Sequence, residues 1–427
     1  MPTMPGRDLT REEITAALPS EGLFQGKEWL TSPRPLVLPK KQVKALKKLG
    51  HPLAMFLRAC DRVYRASAAE KRPRWIADLL NAGKPEWIVE AALKSARAEE
   101  IPRVIRPDLL LTADGWKVSE IDSLPGGIGL TAWLSRVYGD AGWDVLGEKN
   151  GMLDAFSELV PEGGRVIISD ESADYRPEMN WLTRQLGSRT VERAEEAGEN
   201  GAATYRFFEL FDWQNIPAAK ELAASDKVTP VMKHHLEEKL WLALFKTPSL
   251  KTVWQEELRG SHLKILNSVV PQGWVIDSTP LPPHASIPHL NVSSWNDVAD
   301  FSQKEREIVV KVSGFSEEAW GSRGVYMGHD LSGEEWKNVL TRAQDETSSQ
   351  PWIAQEFQHG EVIEHPYYDS EGRERIMEGR VRVCPYFFVT DEGRTELAGC
   401  LATIVPKDKK KIHGMRDGIL VPCVAEA

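Results

Sequence analysis

Four residues on two neighbouring stretches carry the first chemical signal. "RVIRPDLLLTADGWKVSEID" holds Arg106 and Asp108 on one side of an Asp-Gly step, and Glu120 and Asp122 on the other. Residues two apart on a strand share a face. Asp-Gly between apolar runs predicts a β-hairpin. If its loop is Asp114-Gly115, Asp108 faces Ile121 and lies on the opposite side from Glu120. If the loop is Ala113-Asp114-Gly115, with Gly115 in the left-handed position of a bulge, Asp108 faces Glu120 and Arg106 faces Asp122. Both registers are open to the sequence. The second gathers three carboxylates and one guanidinium on one face. Carboxylates aimed together into a cleft need a cation between them. Hard oxygen donors suit Mg²⁺, which takes one or two carboxylates, waters and substrate phosphates. The competing reading is a polar face turned to water, with Arg106 paired to Asp122.

A second set lies downstream in "IVVKVSGFSEEAWGSRGV". Lys311 sits inside an apolar strand, where an ammonium needs a partner. Gly314, Gly321 and Gly324 then flank a span that also holds Ser313, Ser316, Ser322 and Arg323. Glycine-bearing backbone can wrap phosphate oxygens with N–H groups, and a lysine adds a point charge. The competing reading is a flexible hairpin with a snorkelling lysine. Neither G-x-x-x-x-G-K-[ST] nor G-x-G-x-x-G is present. In "WIAQEFQHGE", Gln355, Glu356 and Phe357 end a strand that could offer backbone groups to an adenine edge, or be a plain edge strand. In "SDESADYRPEMN", Ser172, Tyr175, Arg176 and Glu178 lie at a strand-to-helix end, where ligands of α/β folds often bind. There is no G-x-S-x-G elbow and no H-E-x-x-H. His234-His235 read as a solvated helix face.

These residues need elements to hold them. Residues 8–100 read as helical, opening with a capping box of Thr10 and Glu13. After the hairpin, residues 163–187 read as strand, loop and helix, and "ATYRFFELFDW" as another strand, which is the logic of a small α/β domain. Residues 230–262 turn helical, and a Pro/Ser-rich stretch after them reads as a hinge. Residues 306–328 read as strand, glycine loop and strand, and the remainder as antiparallel. The expected parts are a helical region at 1–102, the acidic strands at 103–150, a small α/β substrate domain at 151–229 and a nucleotide-binding part at 230–427.

Bulk properties narrow the function classes. The 427 residues are 41% hydrophobic and 27% charged, with a net charge of −10. That charge argues against a general nucleic-acid binder. No apolar run approaches the roughly 18 residues that would span a membrane. The start, "MPTMPGRDLTREEI", has no apolar h-region, so no signal peptide and a cytoplasmic location are expected. Four cysteines without C-x-x-C spacing read as reduced thiols. The fifteen scattered tryptophans read as packing residues rather than a stacking platform. "KDKKK" (407–411) reads as a solvated turn.

Taken together, the quoted motifs resemble the ATP-grasp superfamily. There an apolar strand carries a lysine, a mobile glycine-rich loop follows, and a Q/E-x-[hydrophobic] hinge meets adenine. A Glu-x-Asn strand, often followed by Pro-Gly, holds the metal. Here "EIDSLPGG" precedes the lysine strand instead of following the hinge. That order resembles the circularly permuted branch that includes glutathionylspermidine synthase, in which an R-x-D strand precedes E-x-N. The resemblance spans roughly residues 103–427. It implies an α/β ATP-grasp fold, circularly permuted, with a small Rossmann-like domain. By that likeness Asp108, Glu120 and Asp122 would hold two Mg²⁺, and Arg106 would steady a transferring phosphoryl group. Lys311 and the 314–324 loop would hold the ATP phosphates, and residues 355–357 the adenine. Asp122 stands where the branch has asparagine. No N-terminal amidase is expected, because the first hundred residues lack the Cys/His arrangement that would build one. The implied activity is an ATP- and Mg²⁺-dependent ligase joining a small-molecule acid to an amine through an acyl phosphate, with the 313–324 loop as a lid. A catalytically silent ATP-binding module and a kinase on the same scaffold are the alternatives.

Overall fold

In the computed structural model, which describes residues 6–19, 28–279, 281–282, 284–321, 323–409, 412 and 417–427, the Asp-Gly step closes a hairpin of Val104–Thr112 and Gly115–Asp122. Ser322, the last two lysines of the "KDKKK" run and the first five residues lie outside the described residues. The hairpin's turn matches neither expected loop. Thr112 pairs with Gly115, so the loop is Ala113-Asp114, and Gly115 takes φ +98°. Continued unbroken, that register would set Asp108 against Ser119. A bulge at Ser119 shifts it by one residue, and beyond the bulge Asp108 faces Glu120 and Arg106 faces Asp122. The Ser119 hydroxyl donates to the Asp108 carbonyl at 3.2 Å and so pins the bulge. The pairing expected from the longer loop is therefore reached through a different irregularity.

The chain divides into two compact units. The first comprises residues 1–54, 101–231 and 359–427. Among its described residues, a seven-stranded sheet runs in the order Leu36–Leu38, Ile419–Ala425, Thr395–Pro406, Glu374–Val389, Val104–Thr112, Gly115–Asp122, with Val362–Tyr368 also on Glu374–Val389. Only the Leu36–Leu38 pairing is parallel; the others are antiparallel. A second sheet, of four parallel strands, has Arg165–Ile168 and Thr204–Phe207 at its centre. Both central strands are buried along their whole length, as parallel strands covered on two faces must be. This is the small α/β sheet expected at 151–229, although the expected strand at 203–213 ends at Phe207 and continues as a 3₁₀ turn, Leu210–Asn215. The capping box of Thr10 and Glu13 is present.

The second unit comprises residues 55–100 and 232–358. Its described strands form an antiparallel sheet in the order Val325–Met327, Ile308–Val312, Trp352–Glu356, Gly273–Ile276. Trp274, Trp295, Trp336 and Trp352 pack with Val310, Val312 and Leu340 in one core. Three of these indoles donate to a named partner: Trp274 to the Pro288 carbonyl at 2.8 Å, Trp336 to the Val298 carbonyl at 2.9 Å and Trp352 to Glu346 at 3.1 Å. These tryptophans are packing residues, as expected.

His234 and His235 are not on a water-facing helix. Both are buried, in the 3₁₀ turn His234–Glu237. His235 Nε2 lies 2.9 Å from Asp61 Oδ1, its ring stacks on Tyr64 at 3.9 Å, and Lys233 Nζ also meets Asp61 at 2.9 Å. Burial pushes the His235 pKa down to about 4, against the pull of Asp61. In the first unit, burial likewise takes His365 down to about 4. A histidine whose folded pKa lies below its unfolded value of about 6.5 adds stability above that pH and loses it as pH falls towards the folded pKa. Each can contribute up to roughly 3 kcal/mol. The thermal midpoint is therefore expected to drop steeply between pH 6.5 and pH 4.5. A midpoint that stays level across that window would contradict the burial of these two rings.

Candidate active site

In the first unit, Arg106 is the hub of the acidic hairpin. Its Nε donates to Asp108 Oδ1 at 3.0 Å, one terminal nitrogen reaches Asp122 Oδ2 at 2.9 Å, and the other donates to the Gly126 carbonyl at 3.1 Å. Burial opposes the Arg106 charge, but Asp108 and Asp122 more than offset it and hold the guanidinium well above its usual range. For Asp122, burial pushes the carboxyl up, Arg106 opposes this and Glu120 adds to it. A guanidinium has five N–H donors. These three contacts leave two for a ligand.

Three further side chains reach this cluster from the strand Glu374–Val389, and the sequence reading missed them. Arg382 meets Asp108 Oδ2 at 2.9 Å. Cys384 Sγ donates to Asp108 Oδ1 at 3.4 Å, and the Tyr386 hydroxyl donates to the Gly126 carbonyl at 2.8 Å. Burial and Asp108 push the Cys384 thiol up to about 12, so it is a neutral donor here. The signal was present as "RVRVCPYFF": polar side chains at 382, 384 and 386 alternate with apolar ones, so one face of that strand is polar.

The turn after the acidic strand joins the substrate candidates to this cluster. A Cβ on Gly126 would fall 2.1 Å from Tyr175 Cε1, and Gly127 has φ +84°, so both positions require glycine. The Gly127 amide donates to Glu178 Oε1 at 2.8 Å, at the start of the helix Ile128–Asp140. Tyr175 and Glu178 are thus brought to the Pro125-Gly126-Gly127 turn. Ser172 lies in the loop after Arg165–Ile168, and Arg176 opens the helix Arg176–Leu186. The Ser172 amide donates to the Ser169 carbonyl at 3.2 Å, and Arg176 reaches the Ile168 carbonyl at 3.3 Å and Asp170 at 3.2 Å.

Two of the three expected magnesium ligands, Asp108 and Asp122, are engaged by neighbouring donors in this structure. Both oxygens of Asp108 accept from Arg106, Cys384 or Arg382; Asp122 accepts from Arg106 and, at 2.8 Å, from the Leu124 amide. Among the described residues no group of three His, Cys, Asp or Glu side chains is placed to hold a metal ion. Guanidinium groups supply positive charge to Asp108 and Asp122.

The second unit holds the other set. Lys311 lies on Ile308–Val312, is 7% exposed, and its ammonium donates to Gln355 Oε1 at 2.9 Å. Gln355 is the partner that makes a lysine tolerable in that apolar strand. Ser313 is fully buried, and its hydroxyl donates to Glu238 and accepts from the Leu240 amide at 2.8 Å. That hydroxyl is engaged within the unit and not turned to a phosphate. Gly314 and Gly324 sit where a Cβ would come within 2.8 Å of Glu237 O and 2.7 Å of Glu318 O, while Gly321 has open space and φ +62°. Arg323 lies over the Trp320 ring at 5.3 Å. The loop is anchored on both flanks: Glu318 pairs with Arg342 at 2.8 Å, and Lys239 Nζ donates to the Ala319 carbonyl at 2.8 Å. At the expected adenine hinge, the Glu356 amide donates to Gln272 O at 2.9 Å and the Phe357 amide to Glu307 O at 3.0 Å. Those two donors are paired within the chain. The Phe357 ring meets His329 edge-on at 4.6 Å.

No protein-family model and no curated protein matches the sequence. Among solved structures, the chain is similar to a glutathione synthetase-like effector from Globodera pallida in its apo form. The likeness covers 98% of this chain and 97% of the other, with a TM-score of 0.56 at 13% identity. A "Putative gamma-glutamylcysteine synthetase" from Methylobacillus flagellatus KT aligns over 86% and 85% of the two chains, with a TM-score of 0.39 at 11% identity. The fold is mixed α/β, and it is like that of the glutathione synthetase-like effector over nearly the whole of both chains.

Proposed function

We propose that this protein is an ATP-dependent ligase that joins a carboxylic acid to an amine, built on a circularly permuted order of the ATP-grasp elements. The observation that supports the reading most is the fold likeness over nearly the whole of both chains to a glutathione synthetase-like protein. Two features of the residues support it further. Lys311 is kept in an apolar strand at a desolvation cost. Arg106 keeps two donors beyond its three contacts.

In this reading the acid attacks the γ-phosphate of ATP and forms an acyl phosphate, releasing ADP. The amine then displaces phosphate and forms the amide. Such chemistry asks a protein for positioning and charge neutralisation more than for a nucleophile. Lys311 would hold ATP phosphates as a point charge, and Arg106 would stabilise the transferring phosphoryl group. Tyr175 and Glu178 would help to place the acid. Magnesium would enter with the nucleotide phosphates rather than in a pre-formed carboxylate cage.

The test is nucleotide turnover in the presence of pooled acids and amines. ADP and phosphate are expected only when both pools are present.

A further inference from the structure

The base of the 313–324 loop is tied to a buried ion pair that the proposed chemistry does not use. Lys84 Nζ lies 2.6 Å from Glu238 Oε1, with the two side chains 1% and 0% exposed. Its angles fall outside hydrogen-bond geometry, so the contact is an ion pair rather than a directed bond. The other Glu238 oxygen accepts the Ser313 hydroxyl, and the Lys239 amide donates to the Ser313 carbonyl at 3.1 Å. Gly314 is pressed so close that a Cβ there would lie 2.9 Å from Glu238 Cδ. The next residue, Phe315, has φ +51°, a conformation that a side-chain-bearing residue holds only when its surroundings impose it. Lys84 Nζ sits 5.6 Å from the Phe315 ring centroid. Burying an ammonium and a carboxylate is costly, and apolar residues of the same size would pack there at no such cost. The pair therefore does something that packing alone would not: it fixes a charged acceptor for Ser313 at the point where strand becomes loop.

We infer that Lys84 and Glu238 are positioning residues that hold the nucleotide loop in shape through Ser313. The nucleotide part of this inference rests on the proposed function; the loop-holding part does not.

Two measurements test it. Ser313→Ala removes the hydroxyl and leaves the ion pair intact. In the nucleotide-free variant, hydrogen exchange at the amides of Ala319, Trp320, Arg323 and Gly324 is expected to speed up at least tenfold. The strand Ile308–Val312 should keep its protection. The half-saturating ATP concentration is expected to rise at least tenfold, with maximal turnover changed less than threefold. Lys84→Met combined with Glu238→Leu removes both charges without stranding either, and should loosen the loop in the same way. Lys84→Met with Glu238→Gln, which keeps an acceptor for Ser313, should restore loop exchange to within threefold of wild type. Wild-type loop exchange in Ser313→Ala overturns the inference, as does equal acceleration in the strand. If the wild-type protein binds no ATP, the proposed function fails, and the exchange measurement still decides the loop's dependence on the pair.

Discussion

Replacing Arg106 by alanine is expected to weaken the fold and abolish turnover together. The guanidinium is half-buried, 15% exposed, among Asp108, Asp122 and the Gly126 carbonyl. Removing one member of a fully buried ion pair strands the other at a cost of about 3–5 kcal/mol; with Arg106 15% and Asp122 24% exposed, the loss here is expected below that range. Here Asp108 keeps Arg382, but Asp122 keeps only the Leu124 amide among the contacts described above. The loss should depend on pH with a definite sign. Burial already raises the Asp122 pKa above its ordinary value, and Arg106 is the main group opposing that rise. Without Arg106 the carboxyl rises further. A carboxyl with a raised folded pKa stabilises at low pH and loses that contribution as pH rises through the folded value. The variant should therefore fall further below wild type at pH 8 than at pH 5. Arg106→Lys should not rescue it, because a point charge cannot reproduce a fork that meets two carboxylates and a carbonyl. Turnover by the folded fraction should drop by about 10³-fold, the scale of an arginine at a transferring phosphoryl group. Thermal melts at the two pH values and a turnover assay at a temperature where the variant is folded are sufficient. A melt within a degree of wild type at pH 8 would contradict the buried cluster.

Replacing Lys311 by methionine should give the opposite combination. Methionine fills the apolar strand without an ammonium to desolvate, so the midpoint should hold or rise even though Gln355 loses its donor. ATP binding should weaken by about 10–100-fold, the scale of one charge-assisted contact to phosphate. A residue that costs stability and supports binding is one kept for function. Titration calorimetry with ATP on both proteins measures this, and equal affinities would remove Lys311 from the nucleotide site.

Local signals in this sequence are legible, and signals that depend on distant residues are not. The hairpin was readable because alternation and an Asp-Gly step are local. Its register was not, because the bulge falls at Ser119, which has no glycine to mark it. Arg382, Cys384 and Tyr386 reach Asp108 and Gly126 across a strand pairing between residues more than 250 apart, and nothing near either stretch announces that pairing. His234 and His235 fail for the same reason. Their partners Asn81 and Asp61 lie on distant helical segments, so a run that looks solvated is buried. The place of Ser313 after the lysine strand suggests a phosphate ligand. Only the three-dimensional contact with Glu238 shows that its hydroxyl is already engaged. Lys311 is legible because a charge in an apolar strand is conspicuous by itself, and Gln355, 44 residues away in sequence and on the neighbouring strand, is expected at the same site for another role.

The central claim is most directly tested by following ATP in the presence of pooled carboxylic acids and pooled amines, each alone and together, with products identified by mass. The expected result is ADP and phosphate released only with both pools, and a new product whose mass is that of one acid plus one amine less water. ATP bound but never consumed would contradict it and point to a silent nucleotide-binding module. A phosphorylated product formed without any amine would contradict it in favour of a kinase.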